Sequence, residues 1–358
     1  MNEHPDNRDR SGPDRRDFLQ SAGLIGAGLA LSGAATHAQD APRPIELTDT
    51  GPDKIPRKPF GRTKEKFSVI GLGGYSLGDA PSLKEAIAIV HEAIDAGVNF
   101  CDNAWEYHDG KSEEWMGQAL KDRRDKVFLM TKVCTHGRDK KVGLRQLEES
   151  LKRLQTDHLD LWQIHECVYD NDPERHFAKG GVIEALDEAK KSGKVRYVGF
   201  TGHKNPAIHL KMLSYDYPFD SVQMPLNAFD ASYRSFATKV LPEVNKRGMA
   251  ALGMKSLGGN GQPITKGVVT VEEALRYAIS LAVATTISGI DSLAVLRQNL
   301  AIARGFKPMT AEEMETLHKR CAPAAGDGHL ELYKSTMKYD GDLGREQHGL
   351  PSHKELPL

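Results

Sequence analysis

Val182-Ile183-Glu184-Ala185-Leu186-Asp187-Glu188-Ala189-Lys190-Lys191-Ser192-Gly193-Lys194-Val195-Arg196-Tyr197-Val198-Gly199-Phe200 holds one whole unit of the pattern that decides this fold. Val182, Ala185, Leu186 and Ala189 recur at the i, i+3, i+4 spacing of a helix with one buried face. Gly193 stands just past the end of that helix, where a left-handed backbone costs glycine nothing. Val195–Phe200 then reads as a short strand rich in β-branched and aromatic residues.

Working outward, the unit recurs along the chain. Strand-like runs fall at Phe67–Leu72, Val98–Cys101, Val127–Lys132, Leu159–Ile164, Val195–Phe200, Ser221–Met224, Met249–Gly253 and Thr285–Ile287. Helical patterns lie between them at Leu83–Ala96, Ser112–Lys121, Gly143–Leu154, Val182–Ser192, Pro206–Leu213, Tyr233–Arg247, Val271–Leu281 and Leu293–Ala303. Strict alternation implies parallel strands joined by right-handed crossovers, and eight such units close most simply into a single-domain (β/α)8 TIM barrel. An open doubly wound sheet is the competing arrangement. It would want GxGxxG leading straight from the first strand into a helix, whereas the chain reads Gly71-Leu72-Gly73-Gly74-Tyr75-Ser76-Leu77-Gly78.

The 358 residues include 48 basic and 49 acidic side chains, a net charge of −1. A surface so balanced has no excess charge to attract nucleic acid or acidic lipid, so a small uncharged partner is expected. Four widely spaced cysteines (Cys101, Cys134, Cys167, Cys321) form no CxxC pair and no disulfide ladder.

The N-terminus differs from the rest. Asp14-Arg15-Arg16-Asp17-Phe18-Leu19-Gln20 precedes an apolar, Gly/Ala-rich run from Ala22 to Ala35, and Thr36-His37-Ala38 offers small residues for cleavage. The run is shorter than the roughly 20 residues that span a bilayer as a helix, so no stable membrane span is expected. In outline this resembles a twin-arginine export signal, which implies the twin-arginine (Tat) machinery as a partner and a periplasmic or exported location. The expected organisation is signal peptide 1–38, linker 39–58, barrel 59–306, and a C-terminal helix and tail 307–358 that covers one end of the barrel or stays mobile.

In a barrel, chemistry collects where strands end. The second run ends in Asp102-Asn103-Ala104-Trp105-Glu106-Tyr107, the third in Lys132 and the fourth in His165. A lysine following Phe128-Leu129-Met130-Thr131 is costly to bury without an anion, and Asp102 on the neighbouring strand is its natural partner. Each of these residues alone has an ordinary structural explanation. Together they stand at matched depth on three consecutive strands.

From about Lys58 to Gly305 the chain resembles the aldo-keto reductase family. Phe60-Gly61-Arg62-Thr63 and Ile70-Gly71-Leu72-Gly73-Gly74 resemble its N-terminal hairpin and first strand, and Asp102, Tyr107, Lys132 and His165 match its catalytic tetrad in order and spacing. The resemblance implies NAD(P)H-dependent hydride transfer to a carbonyl, with no metal. In it Tyr107 is the general acid/base, Lys132 (held charged by Asp102) lowers the phenol's pKa, and His165 orients the carbonyl. For the coenzyme it implies Gln223 against the carboxamide, and Gln298 and Asn299 at the adenine. Where the family commonly has Ser-Asn after the fifth strand, this chain has Thr201-Gly202-His203, and Thr201 and His203 take that place. Where it has an aromatic-Ser-Pro-Leu after the seventh, this chain has Met254-Lys255-Ser256-Leu257-Gly258, with Lys255 set to meet a pyrophosphate. Gly289, Asp291 and Ser292 stand where a basic residue often grips a 2′-phosphate. Asp291 would repel that phosphate, which favours NADH over NADPH.

Two other classes compete. Cys134 and His136 follow the third strand, and His165 and Cys167 the fourth, a conceivable metal set whose spacing matches no common zinc motif. Cys134 and Cys167 could equally form a disulfide. A barrel that binds coenzyme without turnover, as scaffold or sensor, is the second rival. Tyr75, Trp105, Trp162 and Phe229 are candidates either for an apolar mouth or for the core.

Overall fold

The structure, a computed structural model, describes residues 46–134 and 139–356. The twin-arginine stretch, the proposed cleavage site and His136 lie outside the described residues. Eight parallel strands close into a barrel: β1 (Ile70–Gly73), β2 (Phe100–Cys101), β3 (Phe128–Val133), β4 (Leu159–Ile164), β5 (Val195–Thr201), β6 (Ser221–Pro225), β7 (Ala250–Met254) and β8 (Thr285–Gly289), with β8 hydrogen-bonded to both β7 and β1. Closure excludes the open doubly wound sheet. Among the described residues no helix is long and apolar enough to cross a membrane.

Local chemistry starts the helices where the pattern predicts. Ser82 caps Leu83–Asp95 by accepting from Glu85 N, and its Ala86, Ile89, Val90 and Ala93 face the strands. Thr270 and Glu273 make a reciprocal capping box at Val271–Ser280. Two expectations are corrected. The run Phe67–Leu72 is divided: Lys66–Ser68 pairs antiparallel with Arg57–Pro59, and only Ile70–Gly73 enters the barrel. The hairpin places Phe60 and Phe67 against Phe100, Phe128, Met130, Leu161 and Leu252, sealing the N-terminal end of the barrel with apolar rings. The helix expected over Tyr233–Arg247 is shorter and broken into Phe236–Lys239 and Leu241–Lys246. Buried Asp230 captures the Phe236 and Ala237 amides, which delays the start, and Pro242, with no N–H to give, begins a new helix.

After the helix Ala311–Ala325 the chain crosses the opposite, C-terminal end of the barrel, as one branch of the expectation had it. It is packed there. Tyr333 is fully buried, as are Glu331, Lys334, Asp340 and Arg345.

Candidate active site

The loop after β2 builds the centre. Asp102 N donates to the Leu72 carbonyl and Trp105 N to the Lys132 carbonyl, tying the loop to strands on either side. Gly74 makes this approach possible, because a Cβ there would lie 2.4 Å from the Asp102 carbonyl oxygen. His108, Asp109 and Gly110 then follow one another at φ values of 52°, 56° and 94°. Left-handed backbone at two non-glycine residues costs energy, and here it turns the chain back sharply directly beyond Tyr107. His108 holds the turn by donating from Nε2 to the Tyr75 carbonyl at 2.8 Å.

The structure brings Asp102, Tyr107, Lys132 and His165 into one cluster. Lys132 Nζ donates to Asp102 Oδ1 at 2.6 Å, to the Asn103 carbonyl at 2.7 Å and to the Tyr107 hydroxyl at 3.2 Å. Its side chain is 1% exposed, so the ammonium survives burial only because the carboxylate and carbonyl replace water. The His165 ring meets the Tyr107 ring edge-on, with centroids 5.6 Å apart.

One electrostatic expectation is reversed. Burial, followed by the charges of Asp102, Glu106 and Glu166, holds the Tyr107 phenol well above its usual pKa, not below it. Lys132 is already neutralised by Asp102, and two further carboxylates face the ring. Burial likewise lowers His165, against the upward pull of Glu106.

The residues assigned to the coenzyme form an arc over consecutive strands. Thr201 is in register with Gln223 across β5 and β6. Gln223 Nε2 lies 3.6 Å from Met254 Sδ at the end of β7, leaving its Oε1 buried without a partner. In β8, Ser288 Oγ accepts from Asn299 Nδ2 of the following helix at 3.1 Å, and Asn299 Oδ1 is again buried and unpartnered. Ser292 caps the helix Leu293–Ala303; Gly289 and Asp291 are exposed beside it, and Gln298 is exposed on the helix flank, away from Asn299. Ser256 is buried and Leu257 half-buried, while Gly258 has φ 79°.

Residues 69–262, more than half the chain, match the family model described as "Aldo/keto reductase family". The chain belongs to the aldo/keto reductase family. It is an oxidoreductase that moves hydride between a nicotinamide coenzyme and a carbonyl carbon. It is 28% identical over 303 residues to the uncharacterized oxidoreductase YqkF of Bacillus subtilis, covering 73% of this chain and 95% of that one. It is 33% identical to the methylglyoxal reductase YeaE of Escherichia coli, over 36% of this chain and 44% of that one. Among solved structures, the holo form of the aldo-keto reductase AKR11C1 from Bacillus halodurans shares the fold at TM-score 0.62 and 24% identity, over 74% of this chain and 95% of that one. An aldo/keto reductase from Klebsiella pneumoniae, solved with NADP and acetate, does so at TM-score 0.59 and 22% identity, over 74% and 94%.

Buried acceptors with no donor, on Gln223 in β6 and on Asn299 in the helix that follows β8, suit a ligand carrying an amide at one end and an adenine at the other, so the residues of this reductase fit a nicotinamide coenzyme. Three features of the site had no sequence signal strong enough to find them. Glu106 places Oε1 2.5 Å from His165 Nδ1. Buried Glu166 accepts from Gly341 N at 2.8 Å, and its carboxyl is held far above the usual range by burial and by Glu106. The tail lays Tyr333 and Tyr339 on Lys255, whose Nζ is 5.1 and 5.3 Å from their ring centroids, and sets Asp340 3.8 Å from His203.

Other candidates separate. Trp162 and Phe229 are fully buried in the core, and Trp105 donates to Glu149 on the neighbouring helix, leaving exposed Tyr75 beside Tyr107 at the mouth. All four cysteines are free and buried, and Cys167 contacts His176 at 3.5 Å. The arrangement favours the reductase over the metal-binding or scaffold alternatives.

Proposed function

We propose that Tyr107 is the general acid/base of this reductase, Lys132 its electrostatic partner, and Asp102 and His165 their supports. The observation that carries the reading is the buried chain of contacts from Asp102 through Lys132 to the Tyr107 hydroxyl, 2.6 and 3.2 Å. Gln223, Thr201 and His203 would hold the carboxamide end of the coenzyme, Met254 to Gly258 the pyrophosphate, and Gly289, Asp291, Ser292, Gln298 and Asn299 the adenosine. The bound nicotinamide supplies hydride to the carbonyl carbon, or takes it in reverse. As negative charge grows on the carbonyl oxygen, the Tyr107 hydroxyl gives it a proton. A phenol held high in pKa is fully protonated at neutral pH, which is the state reduction needs, and an incipient alkoxide is more basic than any phenolate. Lys132 stabilises the phenolate left behind. Rapid mixing of protein loaded with reduced coenzyme against a panel of aldehydes, ketones and quinones tests the reading. Oxidation by at least one is expected; none at all would leave a scaffold.

Asp291 favours NADH. It brings a carboxylate to the end of β8, where a 2′-phosphate would be repelled and a ribose hydroxyl bonded. Competitive titration should show NADH binding more tightly, and tighter NADPH binding would sink the preference. Lys255 adds a pH signature, because burial holds its ammonium down to about 8. Its charge is present below that pH and lost above, so affinity for either coenzyme should fall as pH rises through about 8. Lys255→Arg should flatten that fall, since a guanidinium stays charged.

The twin-arginine stretch supports export of this reductase to the periplasm by the Tat machinery. With Arg15 and Arg16 both changed to Lys, the protein should stay in the cytoplasm. Unchanged fractionation would refute the route.

A further inference from the structure

Two carboxylates and an imidazole converge beside the tetrad. Glu106, from the loop after β2, and His165 and Glu166, just past β4, bring one ligand atom each within 4.8 Å of one another. Consecutive residues of an extended chain point to opposite sides, so His165 and Glu166 would ordinarily diverge. Glu166 has φ 51°, and that left-handed turn brings its carboxyl back to the side of the ring.

The place is closed. His165 and Glu166 are 7% and 8% exposed, and only Glu106 keeps a wetter edge, with 19% of its side chain exposed. Gly341 of the tail forms the roof: its N–H donates to Glu166 Oε2 at 2.8 Å, and a Cβ there would lie 2.7 Å from that oxygen and 3.6 Å from Glu106 Oε2. Both carboxylates therefore turn an oxygen to the same small space. His165 Nδ1 opens on it as well, buried and making no hydrogen bond, since Glu106 Oε1 stands 2.5 Å away but off the line that such a bond needs. Donor atoms aimed at a common point, not at one another, are what a metal ion gathers. The nearby ammonium groups are already engaged: Lys132 by Asp102, Lys204 by Asp340, and Lys255 beneath the rings of Tyr333 and Tyr339. Two buried carboxylates this close still need a positive charge between them, carried by a proton or an ion.

We infer that Glu106, His165 Nδ1 and Glu166 form a binding site for one divalent transition-metal ion, of which zinc is the best fit. An imidazole nitrogen disfavours Ca²⁺ and Mg²⁺, which take oxygen, and the lack of a thiolate disfavours the softest metals. Among the rest, Zn²⁺ binds such a set more tightly than Mn²⁺ or Fe²⁺, and three protein ligands leave it a fourth place for water. Tetrahedral ligands at about 2.0–2.2 Å stand roughly 3.3 Å apart, so the ion parts Glu106 from the ring by roughly 0.8 Å, within reach of a part-exposed side chain. Cys134 lies beside Glu106 without being one of the three, so this is not the cysteine-histidine set that strand order suggested. Hydride transfer needs no ion at this place. The inference stands whether or not Tyr107 is the proton donor.

The test needs no substrate. Untagged full-length protein, stripped with a chelator and titrated with Zn²⁺ at pH 7 in a calorimeter, should bind one equivalent. Glu106→Gln and Glu166→Gln should each weaken that binding at least about tenfold, because an amide oxygen is a poor ligand where a carboxylate was lost. Glu114→Gln, at an exposed position on the helix Lys111–Leu120, should leave it unchanged. In zinc-soaked crystals of the unaltered protein the anomalous signal should lie between the three side chains. Absence of stoichiometric binding overturns the inference and leaves a shared proton as the only occupant. Binding that both variants leave in place overturns it too, as does an anomalous peak on Cys134 and Cys167. Where a variant fails to fold, seen as a lost thermal transition, the crystals of the unaltered protein still decide.

Discussion

Tyr107→Phe should lower carbonyl reduction by about 10²–10⁴-fold, the usual worth of a positioned proton donor, while coenzyme affinity stays within about twofold. The ring would keep its edge-on contact with His165 and its place under Lys132 Nζ, 4.7 Å above its centroid. Only the hydroxyl that Lys132 reaches at 3.2 Å would be lost. The loss should appear in kcat and kcat/KM together, because the proton is transferred only in the transition state. Steady-state kinetics beside a coenzyme titration checks it. Near-normal turnover, or lost coenzyme binding with turnover kept, would reverse the assigned roles.

The second large effect is expected far from that hydroxyl in sequence. Lys334 Nζ donates to Asp230 Oδ1 at 2.7 Å, to Glu331 Oε2 at 2.9 Å and to the Tyr233 carbonyl at 2.9 Å, and all three charged side chains are at most 1% exposed. Lys334→Met would leave two carboxylates buried without a cation, at a cost of about 3–5 kcal/mol. The pH dependence has a definite sign. Burial already raises Glu331, and without Lys334 the folded-state pKa of a buried carboxyl rises further above its unfolded value. The folded variant then binds more protons than the unfolded chain, so its stability deficit should shrink as pH falls toward the unfolded carboxyl value and grow as pH rises. Calorimetry across pH measures this. Protease cleavage between the helix Ala311–Ala325 and residue 341 should increase as well. Tyr333, which accepts from Asn227 at 2.8 Å and rests on Gly259, should leave its seat with the rest of the segment. Coenzyme association should then become faster. An unchanged Tm with the tail still resistant to protease would refute the account.

These two effects differ in how readable they were. Asp102, Lys132 and His165 could be placed together from the sequence because each stands at or beside the end of a strand, and that end in an alternating β/α chain has a known place in space; Tyr107, in the loop five positions after Asp102, was singled out by the family resemblance. The barrel was readable for the same reason: period 3.6 and period 2 alternate, and short-range patterning dictates both. Glu106 and Glu166 stood in plain view beside Tyr107 and His165, but nothing in neighbouring residues says that two carboxylates from different strand ends will flank one imidazole. Hence the expected acidity of Tyr107 came out with the wrong sign. A pKa is a sum over every charge within several ångströms, and most of those charges arrive from elsewhere in the chain. The segment Glu331–Gly341 shows the same limit, since its partners Asn227, Asp230, His203, Lys255 and Glu166 lie some 75 to 175 positions earlier.

By itself, then, the amino-acid order determined the eight β/α units and the end of the barrel where Asp102, Lys132 and His165 gather, because local periodicity and strand termini are properties of neighbouring residues. Only the folded chain decided which way burial and neighbouring carboxylates shift the phenol and the imidazole, and that residues 331–341 pack over Asn227, His203, Lys255 and Glu166. Burial and Coulomb energy depend on distances through space, and those exist only once the barrel has closed.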